Sequence, residues 1–178
     1  QEDPEIDYLY AQCADKLEKL DVAINKLSVL VGYDPDSRVF DDEKATAPNM
    51  IKAYSLLADL YRRRDTGGRD DERIADAVMD RMIALNSEDA EAFLNRGRYT
   101  RRLTQTGSLN QPDRRKALDD FLRAKEIDPD NVDALMDLID EYVYWMNKVD
   151  ESQSDEYLRF ATEALTHAKE IAPGDTRV

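Results

Sequence analysis

Cysteine, histidine, glycine and proline are all scarce in this 178-residue chain, and each scarcity narrows what it can be. A single cysteine, Cys13, excludes an intrachain disulfide, although exported proteins can also lack disulfides, so the compartment stays open. The one histidine, His167, cannot supply the several His or Cys ligands of a structural zinc site or a di-iron bundle. Six glycines and six prolines are too few for a turn-rich sandwich or a disordered chain. No apolar run approaches the roughly 20 residues that span a bilayer, and no signal peptide is visible. Gly-rich phosphate loops, GxSxG and CxxC are all missing. Basic residues are outnumbered by acidic ones, 25 to 39, for a net charge of −14. That balance opposes binding to nucleic acid and to anionic membranes, which need a basic surface.

What is present is a repeat. Ala124-Lys125-Glu126-Ile127-Asp128-Pro129 recurs as Ala168-Lys169-Glu170-Ile171-Ala172-Pro173, with weaker echoes at Met82–Ser87 and Leu30–Pro35. At a constant distance upstream stand Ala23, Ala75, Ala117 and Ala161, each followed one turn on by a large apolar residue: Leu27, Met79, Phe121 and Leu165. A spacing of four puts both on one helix face. Pro cannot continue a helix, so the Asp-Pro and Ala-Pro endings predict stops, with Asp36, Asp130 and Asp175 as turn formers or N-caps beyond them. Ahead of each such helix lies another amphipathic stretch, the clearest being Ala53-Tyr54-Ser55-Leu56-Leu57-Ala58-Asp59-Leu60-Tyr61.

These residues resemble the tetratricopeptide family, whose first helix carries a bulky residue, then Leu followed by Gly or Ala, then an aromatic. Tyr54, Leu57, Ala58 and Tyr61 match all four places. Phe93 and Gly97 match two, while Arg96 and Thr100 depart; Leu135, Leu138 and Tyr142 match three, with Ile139 at the small place; Tyr10 and Ala11 match in the first repeat, where Asp7 and Ala14 do not. The resemblance implies an all-α chain, a right-handed α-solenoid of four helix-turn-helix repeats over residues 4–37, 50–89, 90–131 and 132–175, forming one domain over 1–178 with a linker at 38–49. Helix-end markers at 35, 87, 129 and 173 are farther apart than the roughly 34 residues of the family. The Sel1-like repeats also tolerate longer periods, but the Asp-Pro endings favour the tetratricopeptide reading. The excess is expected in the linker and in hairpin loops near Asp65–Gly68, Gly107–Pro112 and Val149–Ser154, with overlong helices. Because the chain opens on Gln1 and closes at a repeat boundary, it reads as a soluble excised domain or mature fragment, with localisation unassigned.

Signals for chemistry are weak. Asp65-Thr66-Gly67 spells the aspartic protease triplet, but it follows three arginines and has no second copy to pair with. Asp128–Asp133 lacks the Gly and terminal Glu of a calcium loop. His167 reads as a solvated helix residue. Tyr142, Tyr144, Trp145, Tyr157 and Phe160 read as packing between the helices of the last repeat. No catalytic residue, metal or cofactor is assigned.

The informative feature is basic. Arg62, Arg63 and Arg64, then Arg96, Arg98, Arg101 and Arg102, lie on first helices of an otherwise acidic chain. In the family these helices line a concave groove that binds extended peptides. The resemblance therefore implies a peptide-binding groove whose candidate residues are Lys52, Arg62, Arg63, Asn95, Arg98, Arg101 and Arg102, with Asp133, Asp137 and Asp140 making its C-terminal end negative. Arginine forks suit carboxylates, so the expected partner is a protein or peptide of acidic character. Pairing of these arginines with Asp59, Asp137 and Asp140 is the competing reading. The family's chaperone-tail clamp is absent: Tyr8, Gln12 and Leu56 occupy its Lys and Asn places. The functional expectation is a non-catalytic interaction scaffold; the alternative is a spacer or oligomerisation module. At the ends, Glu163, Thr166, His167 and Glu170 suggest a self-capped last helix, whereas Leu9, Leu20 and Val22 leave the first end open.

Overall fold

A computed structural model describes residues 3–64, 70–106 and 111–178. The protease-like triplet, Gly68 and Gly107 lie outside the described residues. The fold is all-α, of the helical-repeat solenoid class. Among the described residues eight helices run α1 (Pro4–Lys16), α2 (Leu20–Val31), α3 (Ile51–Arg63), α4 (Asp70–Leu85), α5 (Ala90–Gln105), α6 (Gln111–Ile127), α7 (Val132–Met146) and α8 (Glu151–Ile171). They fall into two compact units, Gln1–Ser87 and Glu88–Val178.

In the first unit α1 pairs with α2 and α3 with α4, and α2 packs on α3. Helix α3 shows why: Ala53, Tyr54, Leu57, Ala58, Leu60 and Tyr61 are all buried, a helical stripe in which each large side chain is worth about 1.5–3 kcal/mol on burial. The linker proves to be built into this unit. Tyr33–Asp34 and Val39–Phe40 pair as a two-stranded antiparallel hairpin, β1 and β2. The chain then folds back on α2, with the N–H groups of Asp41, Thr46 and Ala47 donating to the carbonyls of Gly32, Val29 and Leu30. Gly32, not Pro35, ends α2: it takes the left-handed conformation, φ 70°, and a Cβ there would sit 2.3 Å from the Asp41 carbonyl oxygen. Asp34 closes the hairpin turn by accepting from the N–H groups of Asp36 and Ser37.

In the second unit α5 pairs with α6 and α7 with α8, α6 packs on α7, and α5 touches α7. Gly97 lets α5 approach α6, since a Cβ there would lie 2.5 Å from the ring of the fully buried Phe121. Ile139 takes the equivalent place in α7 and is accommodated from the other side. The buried residues of α8 are Ala161, Ala164 and Ala168, and Ile139 packs with Leu135 against the last two. The helices run long, α8 reaching 21 residues, but the expected loop at Val149–Ser154 is shorter than that. Asp150 caps α8 by accepting from the Gln153 N–H, which brings residues 151–154 into the helix. Asn131, rather than Asp130, caps α7 through the Ala134 N–H; Asp130 instead lies 3.0 Å from the His167 ring nitrogen.

Candidate peptide-binding site

Each unit presents two first helices side by side in the repeat order, α1 with α3 and α5 with α7. The candidate residues sit on these helices, and their surroundings differ between units.

In the first unit Lys52 reaches from α3 to Glu5 of α1 at 2.6 Å and lies 4.6 Å from the centre of the Tyr8 ring. Arg63 reaches Asp15 of α1 at 2.6 Å and Asp59 of its own helix at 3.2 Å. Both bridges are half-exposed ties across the α1–α3 face. Arg62 turns the other way, to Asp76 of α4 at 2.6 Å, so it does not join Lys52 and Arg63. Neighbouring Arg64 forks onto the buried Asp71 and stacks 4.8 Å from Tyr61.

In the second unit the arginines converge. Arg98 donates to Asp137 at 2.6 Å and Asp133 at 3.0 Å, and Arg101 donates to Asp137 at 2.5 Å. Asp137 is only 7% exposed, so it draws two guanidinium groups from α5 onto one carboxylate of α7. The Arg98 guanidinium is partly desolvated, yet bonding to Asp133 and Asp137 carries its pKa above the usual arginine value. Asp133 also accepts from Arg177 at 2.8 Å, and bonds from Arg177 and then Arg98 hold its carboxyl below the usual range. Asn95 is spent locally, donating to the carbonyl and side chain of Glu91 one turn back. Arg102 is exposed in the last turn of α5.

Beneath this face lies a pair that sequence reading overlooked. Arg114 of α6 forks onto Glu141 of α7 at 2.8 and 3.1 Å, with the two side chains 6% and 0% exposed. Burial pushes the Glu141 carboxyl above its ordinary pKa, with Arg114 opposing. The signal was present: Glu141 follows Leu135 and Leu138 at helical spacing, on the face that α7 buries. The aromatic concentration is packing, as expected: Tyr142 meets Tyr157 and Phe160 at 6.1 and 5.5 Å, and Trp145 is buried. Tyr144 stacks 3.7 Å from the Arg114 guanidinium.

Among the described residues no group of three or more His, Cys, Asp or Glu side chains is arranged to hold a metal ion, and no helix is long and apolar enough to cross a membrane. No family model matches this sequence, and no curated protein matches it. Among solved structures it is similar to the crystal structure of MamA, a tetratricopeptide-like helical repeat protein, with a TM-score of 0.56 at 17% identity over 96% of this chain and 81% of that one. With so few identical residues the likeness is one of fold, and it places this chain among tetratricopeptide-like helical repeat structures.

Proposed function

We propose that this chain is a non-catalytic protein-interaction scaffold whose first-helix faces hold an extended segment of a protein partner. The observation that carries the reading is the posture of Arg98: α5 presents its half-exposed fork already oriented by Asp137, a buried carboxylate that also holds the less exposed Arg101. Pre-oriented donors lose little freedom when a ligand arrives. A partner with acidic side chains would bond to Arg98 and Arg102, while Asp133 and Asp140 would take amides or a lysine from the same segment. Lys52 and Arg63, with Arg62 at the flank, offer the first unit's own version of this chemistry.

The reading predicts micromolar affinity for an acidic extended peptide, about −8 kcal/mol, weakening as salt rises. In isothermal titration, Arg98→Glu with Arg102→Glu should abolish binding, and Arg98→Lys should retain part of it. Binding indifferent to both salt and the double substitution would sink the acidic-peptide reading. One observation favours the spacer alternative: Lys52, Arg62, Arg63, Arg98 and Arg101 each already engage a carboxylate of their own unit. Under that alternative the double substitution lowers the melting temperature and no peptide binds.

A further inference from the structure

Helix α1 has three faces: two are packed within its unit, and the third meets it through Lys26 of α2, 5.6 Å from the centre of the Tyr10 ring. Glu5, Tyr8 and Asp15 look toward α3, through Lys52 and Arg63. Ala11 and Ala14 are buried, and Asp7 meets Lys26 of α2 at 2.7 Å. The third face holds Ile6, Leu9, Tyr10, Cys13 and Leu17, spaced at i, i+3, i+4, i+7 and i+11. That is the spacing of a buried stripe, yet Ile6, Leu9, Tyr10 and Leu17 are 63, 50, 53 and 66% exposed. Helix α1 thus buries alanines and shows its large apolar side chains to solvent, the reverse of α3. The stripe continues onto α2, where Val22 and Val29 are exposed and share with Tyr10 one recess of about 390 Å³.

The last helix of each unit is finished differently. Ile24 of α2 and Leu118 of α6, each one residue after its repeat's alanine, are buried; the equivalent residues of α4 and α8 are the exposed Asp76 and Thr162. Around Thr162, Asp155, Glu163, Thr166 and Glu170 are exposed, with Leu158 alone among them. Repeat arrays need such a polar outer face where they end. The α8 end has one and the α1 end does not.

We propose that the outward stripe of α1, with Val22 and Val29, is the contact face of a two-fold dimer of this chain, with α1 lying antiparallel on its counterpart. The charges along α1 select that occupant. Asp3 caps its first turn, Lys16 lies in its last turn, and Lys19 follows. All three are exposed. Antiparallel pairing sets Asp3 of each copy beside Lys16 and Lys19 of the other and opposes the two helix dipoles; parallel pairing does neither. One apolar patch meeting itself about a two-fold axis closes the assembly. Head-to-tail stacking would instead set the stripe against the polar face of α8.

Light scattering and sedimentation equilibrium on the 178-residue chain test this directly. The expected result is a monomer–dimer equilibrium across a concentration series, with maleimide labelling of Cys13 slowing as the dimer forms. Leu9→Glu with Tyr10→Glu should give a monomer of unchanged helicity, because both side chains are half-exposed in the monomer, and its melting temperature should lose the concentration dependence of the wild type. Lys16→Glu with Lys19→Glu should weaken the dimer about tenfold, and it leaves the Asp3 cap of α1 in place. A chain monomeric throughout the series overturns the proposal. So does a dimer that survives the Leu9 and Tyr10 substitutions, or one indifferent to the charge reversal. A monomer whose stripe captures an added apolar helical peptide would assign the face to another partner and equally overturn self-pairing. Arg98→Glu with Arg102→Glu should leave the dimer intact, so this proposal and the peptide-binding one fail separately.

Discussion

The two units use charge for the same task at different depths. In the first, α3 is tied to α1 by Lys52–Glu5 and Arg63–Asp15, bridges whose side chains stand half in solvent. In the second, α5 is drawn to α7 through Asp137, with Arg114 and Glu141 almost wholly buried beneath. Exposed pairs are worth about 0–1 kcal/mol each and yield to salt. Buried pairs carry a desolvation cost, contribute little net stability, and become expensive when one member is removed. The first unit can therefore change its surface ions freely, whereas the second is committed to its charges as a set.

That contrast orders the effects of mutation. The largest is expected at Glu141→Gln, which leaves the buried Arg114 guanidinium uncompensated and should cost about 3–5 kcal/mol in urea unfolding. Replacing the pair together, Arg114→Met with Glu141→Leu, should recover most of that loss. A single substitution costing under 1 kcal/mol would mean that water reaches the pair and the contrast in depth is false. Next is Gly97→Val, which drives a branched side chain into the Phe121 ring and should cost about 2 kcal/mol. It would sharpen the comparison, because the corresponding residue of α3, Ala58, is buried without such a restriction on its Cβ. Smallest is Lys52→Ala or Arg63→Ala, expected at about 0.5 kcal/mol each and vanishing in high salt. A loss above 2 kcal/mol at either would show that the first unit also depends on its ions.

Much of the fold is legible in the sequence. The spacing from alanine to helix-end marker, proline in three repeats and Ser87 in the other, located four second helices, and the apolar stripe of α3 reads directly as the buried face it proves to be. Less legible were the helix ends. Asp-Pro looked like the stop in the first repeat, but Gly32 ends α2 three residues earlier, because the linker must pass against its backbone at Asp41. The candidate site was legible as a set of residue types on first helices, not as partnerships. Arg62 and Arg63 are adjacent in sequence and turn to opposite neighbours, α4 and α1, since successive helix positions differ by about 100°.

The sequence by itself determined the elements. Periodicity of 3.6, small residues at the crossing points, and helix-stopping residues at recurring intervals are local properties, and they suffice to specify helix pairs of repeat type. Tertiary structure decided which charges meet and which faces remain outside. An arginine reaches carboxylates on several neighbouring helices, and the choice among them depends on helix separation and burial, quantities that no spacing along the chain encodes. The same holds for α1. Ile6, Leu9, Tyr10 and Leu17 have the spacing of a core stripe, and the fold leaves all four exposed.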